Sequence, residues 1–228
     1  MIISHRHRFI FVKTEKTAST SLLRVFRDIA GEKDRLYPAD RSVRRVLLGA
    51  GGGIGKFSFV ADRGGMRRVL PGLVGLHRHA RLADIRSFLG PDVFSRYTVV
   101  TSERNPFDRQ VSLYRHRLRG RSGLADFSRD TCSPLYNLLH YNRLDNWGIY
   151  NLDGKVGAHH IIRFENLHDD LAEVLKTLGI DPRRYPLAHE RRSSRDEDPA
   201  WRELYTDAAR RRVASWYRRE LDYFGYAF

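Results

Sequence analysis

Cysteine is almost absent: Cys132 is the only one in 228 residues. No intrachain disulfide can form, and no cysteine or cysteine–histidine framework has the spacing of a structural metal site. A reducing compartment is expected, with Cys132 as a small, half-buried residue. Long apolar runs are also missing. No stretch approaches the roughly 18 to 20 apolar residues that cross a bilayer, and the first residues lack the apolar core of a signal peptide. A cytoplasmic chain without an integral membrane segment is therefore expected. Acid is scarce relative to base, with 27 Asp and Glu against 41 Lys and Arg and a formal net charge of +14. That imbalance favours an anionic partner, and nucleic acid, a membrane surface, an acidic polysaccharide and a polyphosphate cofactor all qualify.

The length and the 41% hydrophobic content suit one folded domain over residues 1–228, large enough to bury a core without disulfides. Phe9 to Val12 has the aromatic and β-branched character of a central strand buried on both faces. A polar loop follows, then a helix start at Ser19 or Thr20, with Leu22, Val25, Phe26 and Ile29 spaced for one buried face and Gly31 as its stop. Residues 32–72 are basic and glycine-rich, with modest elements expected near Val46–Leu48 and Phe57–Val60. Leu73 to Leu76 reads as a short strand that delivers His77-Arg78-His79, ahead of an amphipathic segment from Leu82 to Leu89.

Tyr97 to Ser102 is the clearest later strand, and Arg104-Asn105-Pro106 lies at its C-terminal end. Pro106 suits the first position of a helix, whose stripe is Val111, Tyr114 and Leu118. Arg119 to Ser133 is expected as an exposed loop and Leu135 to Tyr141 as a short helix. His159 to Phe164 reads as a strand, followed by a helix through Leu167, Leu171, Val174, Leu175 and Leu178 that closes at Gly179. Glu190 to Asp198 is a charged loop, and one last helix is expected from about Trp201 to Tyr223. Alternating strands and helices predict an α/β fold with a central, mostly parallel sheet flanked by helices.

In such sheets ligands bind beyond the C-terminal ends of the strands. After the first strand, Lys13 to Ser21 is a loop of cations and hydroxyls that enters a helix. Unsatisfied N–H groups at a helix start, with the positive end of its dipole, make an anion site, to which Lys16 adds a full charge. Taken alone, Ser19 to Ser21 is equally an ordinary N-cap and Lys16 a solvated side chain. A second cluster, Arg104 to Tyr114, puts an arginine at a strand end with Ser112 about two turns along the next helix. A fixed guanidinium clamps phosphate bidentately and a serine hydroxyl adds a donor. Two phosphate sites on neighbouring strand ends point to a bis-phosphorylated nucleotide.

These residues resemble the sulfotransferases that use 3′-phosphoadenosine 5′-phosphosulfate (PAPS), especially the glycan-modifying group. Their 5′-phosphosulfate loop commonly reads Pro-Lys-Thr-Gly-Ser-Thr-Ser-Leu, and the hexuronic acid 2-O-sulfotransferases carry alanine in place of the glycine. Lys16-Thr17-Ala18-Ser19-Thr20-Ser21 looks like the alanine form, with Glu15 where proline is usual. The family's 3′-phosphate pattern, Arg-x-Pro-x-x-Arg-x-x-Ser-x-Tyr, is met at Arg104, Pro106, Arg109, Ser112 and Tyr114.

The resemblance implies a P-loop-like sulfotransferase fold and a PAPS-dependent enzyme that releases 3′,5′-ADP (PAP). Lys16 would hold the leaving-group side, with Thr17, Ala18, Ser19, Thr20 and Ser21 around the phosphosulfate, while Arg104 and Ser112 would take the 3′-phosphate. By similarity to the His-x-His motif of the 2-O-sulfotransferases, His79 is the expected base and His77 its neighbour. No metal is required. The acceptor is expected to be a hydroxyl on an anionic glycan, another polysaccharide or a glycolipid.

The glycine cluster and the charge bring two other classes into question. A P-loop kinase would need glycine at Ala50 and Ser or Thr at Phe57 around Gly55-Lys56, and the sequence has neither. A nucleic-acid binder is suggested by charge alone, without a zinc finger, an RNA-recognition signature or basic heptads, so no nucleic-acid partner is expected.

Overall fold

The computed structural model describes residues 1–31, 79–118, 123–140, 142–187 and 200–228. The glycine-rich stretch, the Leu73–Leu76 strand, His77 and the Glu190–Asp198 loop lie outside these residues. The described strands are β1 (Ile2–Ser4), β2 (Phe9–Phe11), β3 (Thr98–Glu103), a small hairpin β4 (Asn151–Leu152) and β5 (Lys155–Val156), and β6 (His160–Arg163). One sheet runs in the order β1-β2-β3-β6. Strand β1 is antiparallel to β2, whereas β2, β3 and β6 are parallel, with Ile10 opposite Val99 and Thr101 opposite Ile161. The fold is α/β with a mixed, mostly parallel sheet, as the alternating pattern implied.

Helices cover both faces because successive strand residues point to opposite sides. Phe9 and Phe11 face α1 (Ser19–Ala30), where Phe26 lies 5.3 and 4.6 Å from their ring centroids. Leu22, Val25 and Ile29 of α1 share that layer with Leu171, Val174 and Leu175 of α8 (Leu167–Thr177). Ile10 and Val12 point the other way, towards Leu82 and Ile85 of α2 (Leu82–Leu89), Phe94 of α3 (Pro91–Phe94) and Ile149 of α7 (Asn146–Tyr150). Each such side chain contributes about 1.5–3 kcal/mol by leaving water. Gly31, at φ 73°, ends α1 by donating its amide to the Arg27 carbonyl.

Helix α4 (Pro106–Leu118) follows β3 and carries the second cluster. Its apolar residues pack against α5 (Phe127–Cys132), α6 (Pro134–Leu139), the 3-10 turn Trp201–Leu204, α9 (Asp207–Trp216) and α10 (Arg218–Phe224). Three expectations change here. Strand β1 was not anticipated, because three residues are too few to display a period. The stretch expected as an exposed loop contains α5, whose Phe127 is fully buried against Tyr114 and Tyr205. The last helix is interrupted. Thr206 caps α9 by accepting the Ala209 amide, and Tyr217 leaves helical geometry between α9 and α10.

That interruption serves a buried charge. Arg109, fully inaccessible to solvent, pairs with Glu103 at the end of β3 and with Glu220 on α10 at 3.1 Å. The Tyr217 ring lies 4.6 Å from its guanidinium carbon, and the Tyr150 hydroxyl donates to Glu103 at 2.8 Å. Burial opposes the charge on Arg109, yet Glu103, Tyr217, Glu220 and Tyr150 outweigh it and raise its pKa. Glu220 moves up because desolvation exceeds the pull of Arg109. Burial also pushes the Tyr217 phenol up to about 12.

Removing the cation strands carboxylates in a dry core. Arg109→Leu is therefore expected to lower the unfolding free energy by about 3–5 kcal/mol in urea titrations at neutral pH. A carboxyl whose folded pKa exceeds its unfolded value stabilises the fold as pH falls through the folded value. The deficit should accordingly shrink on acidification, as Glu220 takes a proton.

Candidate active site

The C-terminal ends of β2, β3 and β6 open on one edge of the sheet. The chain leaving β2 is tied down at once: the Val12 amide donates to the Val100 carbonyl, and the Thr101 hydroxyl donates to the Val12 carbonyl. The buried Thr14 hydroxyl donates to the Ser102 carbonyl at 2.6 Å and lies 2.8 Å from that of Thr17, which is 2.8 Å from the Ser102 hydroxyl. Ser19 commits its one hydroxyl proton to the Thr14 carbonyl, so its donor towards a ligand is the backbone amide. Lys13 Nζ donates to Thr20 Oγ1 at 3.2 Å, which leaves the Thr20 hydroxyl proton for another acceptor.

Within this frame Lys16 (φ 62°) and Ala18 (φ 57°) both take the left-handed conformation. Each costs about 1–2 kcal/mol for a residue with a Cβ. The turn makes the Ala18 carbonyl the acceptor for the Ser21 and Leu22 amides. No side chain caps α1, and the Ser19 and Thr20 amides open the helix where no intrahelical acceptor exists.

Arg104 follows the end of β3. Its Nε and Nη2 both reach Asp108 Oδ2, at 2.7 and 2.6 Å, and its guanidinium carbon sits 3.8 Å from the centre of the Phe164 ring. Pair and ring together fix the plane of the guanidinium, which has five N–H donors in all. The Arg104 amide donates to Glu103, and the Asn105 amide donates to Glu165 at 2.7 Å. The strand-to-helix turn is therefore anchored on both carboxylates.

His79 approaches from the segment before α2, with Nδ1 2.9 Å from the Lys13 carbonyl oxygen. A carbonyl only accepts, so the neutral ring carries its proton on Nδ1 and Nε2 is its basic nitrogen.

One cleft of about 380 Å³ is lined by Lys13 to Ser21, His79, Arg104, Ser112, Leu113, His116 and Phe164. That volume lies within the range of small-molecule sites. Lys16, Thr17, Ala18, Ser19, Thr20, Ser21, His79, Arg104 and Ser112, all singled out in the sequence, meet on this cleft. His77 belongs to the residues outside the described set. Lys13, His116 and Phe164 were not singled out. His116 follows Ser112 by one helical turn, and i, i+4 spacing could have revealed it. The contacts of Lys13 and Phe164 had no local signal.

A family model described as the sulfotransferase family matches residues 1–227. The chain belongs to the sulfotransferase family. No curated protein and no solved structure matches it. For a sulfotransferase the arrangement is chemically apt. Lys13 and Lys16 with a helix start, and Arg104, all line the cleft and give it an anion-binding character, and the oriented imidazole of His79 lines it too. Among the described residues no helix is long and apolar enough to cross a membrane.

The left-handed Ala18 can be tested directly. Ala18→Gly relieves that strain but adds unfolded-chain entropy, so a net gain of about 0.5–1 kcal/mol is expected in urea unfolding.

Proposed function

We propose that this sulfotransferase moves a sulfuryl group from PAPS to a hydroxyl of an anionic glycan or glycolipid, with His79 as the base. The observation that carries the reading is the convergence of the Lys16–Ser21 loop, Arg104 with Ser112, and His79 on one cleft. A nucleotide with phosphate at both its 3′ and 5′ positions needs two separate anion sites. Lys16 and the first amides of α1 suit the 5′ end, and Arg104 with Ser112 suits the 3′ end. When bound, PAPS supplies the activated sulfuryl group.

The residues then divide the work. Nε2 of His79 takes the proton of the acceptor hydroxyl as its oxygen forms the new bond to sulfur. Lys16 and the Ser19 and Thr20 amides stabilise the negative charge left on the 5′-phosphate oxygen as the old sulfur–oxygen bond breaks. The Lys13 carbonyl keeps the imidazole in the tautomer that accepts at Nε2 and supports the imidazolium that results. The net charge of +14 favours an acceptor that is itself acidic.

Thermal unfolding tests the nucleotide. A ligand at 100 times its Kd adds about 2.7 kcal/mol of stability, so 3′,5′-ADP should raise the midpoint well beyond ATP with magnesium or duplex DNA. A larger shift with ATP and magnesium would replace this reading with a kinase. Assays with labelled PAPS and a panel of acceptors test the chemistry. His79→Ala and Lys16→Ala should both abolish transfer, with 3′,5′-ADP affinity kept in the first and reduced in the second. A fully active His79→Ala would remove the base assignment alone.

A further inference from the structure

Asn146, the first residue of α7, is fully buried. It lies 131 positions from Glu15 in the chain, yet its Oδ1 accepts the Glu15 amide at 2.9 Å and its Nδ2 donates to the Glu15 carbonyl at 2.9 Å. A carboxamide that takes both main-chain groups of one residue fixes the peptide planes on either side of it. The plane after Glu15 leads directly into Lys16, the first of the left-handed residues. The other anchors of the loop described above come from its own hydroxyls, from Lys13 and from β3, whereas Asn146 reaches it from α7.

Helix α7 is itself held firmly. Asp145 caps it by accepting the Gly148 amide at 3.0 Å, and Arg81, next but one after His79, pairs with Asp145 at 3.0 Å. Ile149 is buried in the sheet core, and Tyr150 bonds to Glu103. The helix therefore joins the loop, the histidine segment and the end of β3.

We infer that Asn146 is a positioning residue for the 5′ end of the nucleotide site, holding Lys16 and the loop amides in their anion-binding geometry. The inference rests on the nucleotide reading above. Its distinguishing mark is selectivity for one end of the ligand, since Arg104 is held by Asp108 and Phe164, and the turn that follows it by Glu165, none of which belongs to α7.

Calorimetric titration of wild type and Asn146→Ala with 3′,5′-ADP and with adenosine 3′-monophosphate is the test. The bisphosphate should bind about tenfold more weakly to the variant, on the scale of one or two lost hydrogen bonds, and the 3′-monophosphate within about twofold of wild type. Asn146→Asp fills the same space and keeps the acceptor but loses the donor, and it carries the test if the alanine variant does not fold; the same selective loss is expected. Unchanged bisphosphate affinity in a folded variant, or equal losses for both nucleotides, would overturn the assignment while leaving the nucleotide site intact. A wild-type protein that does not bind 3′,5′-ADP would overturn the nucleotide reading, and the positioning role with it.

Discussion

The fully buried cation Arg109 organises the end of the sheet at which the cleft opens. Glu103 ends β3 and receives Arg109, the Tyr150 hydroxyl and the Arg104 amide together. The direction in which Arg104 leaves the strand is thus set by a charge that never meets solvent. Through Glu220 and the Tyr217 ring, the same guanidinium draws in the C-terminal helices. Tyr217 also accepts the Leu144 amide and donates to Gln110, which in turn bonds to Asn142. Taking these groups out of water is costly, and mutual neutralisation together with the hydrogen bonds among them offsets it. The same pairing demands one arrangement of β3, α4, α7 and α10, and that arrangement presents the site.

The loop after β2 depends on a different balance. Two non-glycine residues in left-handed conformations would not persist in an isolated peptide. They persist here because Thr14, Thr17 and Ser102 interlock their hydroxyls in a buried cluster while Asn146 holds the Glu15 backbone. Glu15 presents its amide hydrogen to Asn146, which accepts it. The cations follow the same logic. Arg104 lies against Phe164 and is held by Asp108, so the protein itself sets the orientation of the guanidinium.

Much of this was legible in the chain because it is local. The apolar run Phe9 to Phe11, the spacing of Leu22, Val25, Phe26 and Ile29, and Pro106 at the start of α4 each announce an element within a few residues. The elements missed were short ones that owe their form to distant partners. Helix α5 exists because Phe127 fills a space between Tyr114 and Tyr205, and β1 because Ile2 and Ile3 complete the layers on either face of the sheet. The broken C-terminal helix reads as continuous in its composition, since nothing near Tyr217 reveals that its ring must cover Arg109.

The order of amino acids alone sets the alternation of strands and helices, the polarity of each strand exit and the cations and hydroxyls placed there. Hydrophobic period and turn chemistry act over a few residues and can be read from them directly. Tertiary structure alone decided the division of labour between similar side chains. Arg104 and Arg109 are five positions apart in one motif, yet one lines the cleft and the other is sealed beneath it. Asn146 and Tyr150 are unremarkable in sequence and become supports of the site only when α7 folds against the loop and β3. Burial and hydrogen-bond partnership are properties of the packed chain, and no local pattern specifies them.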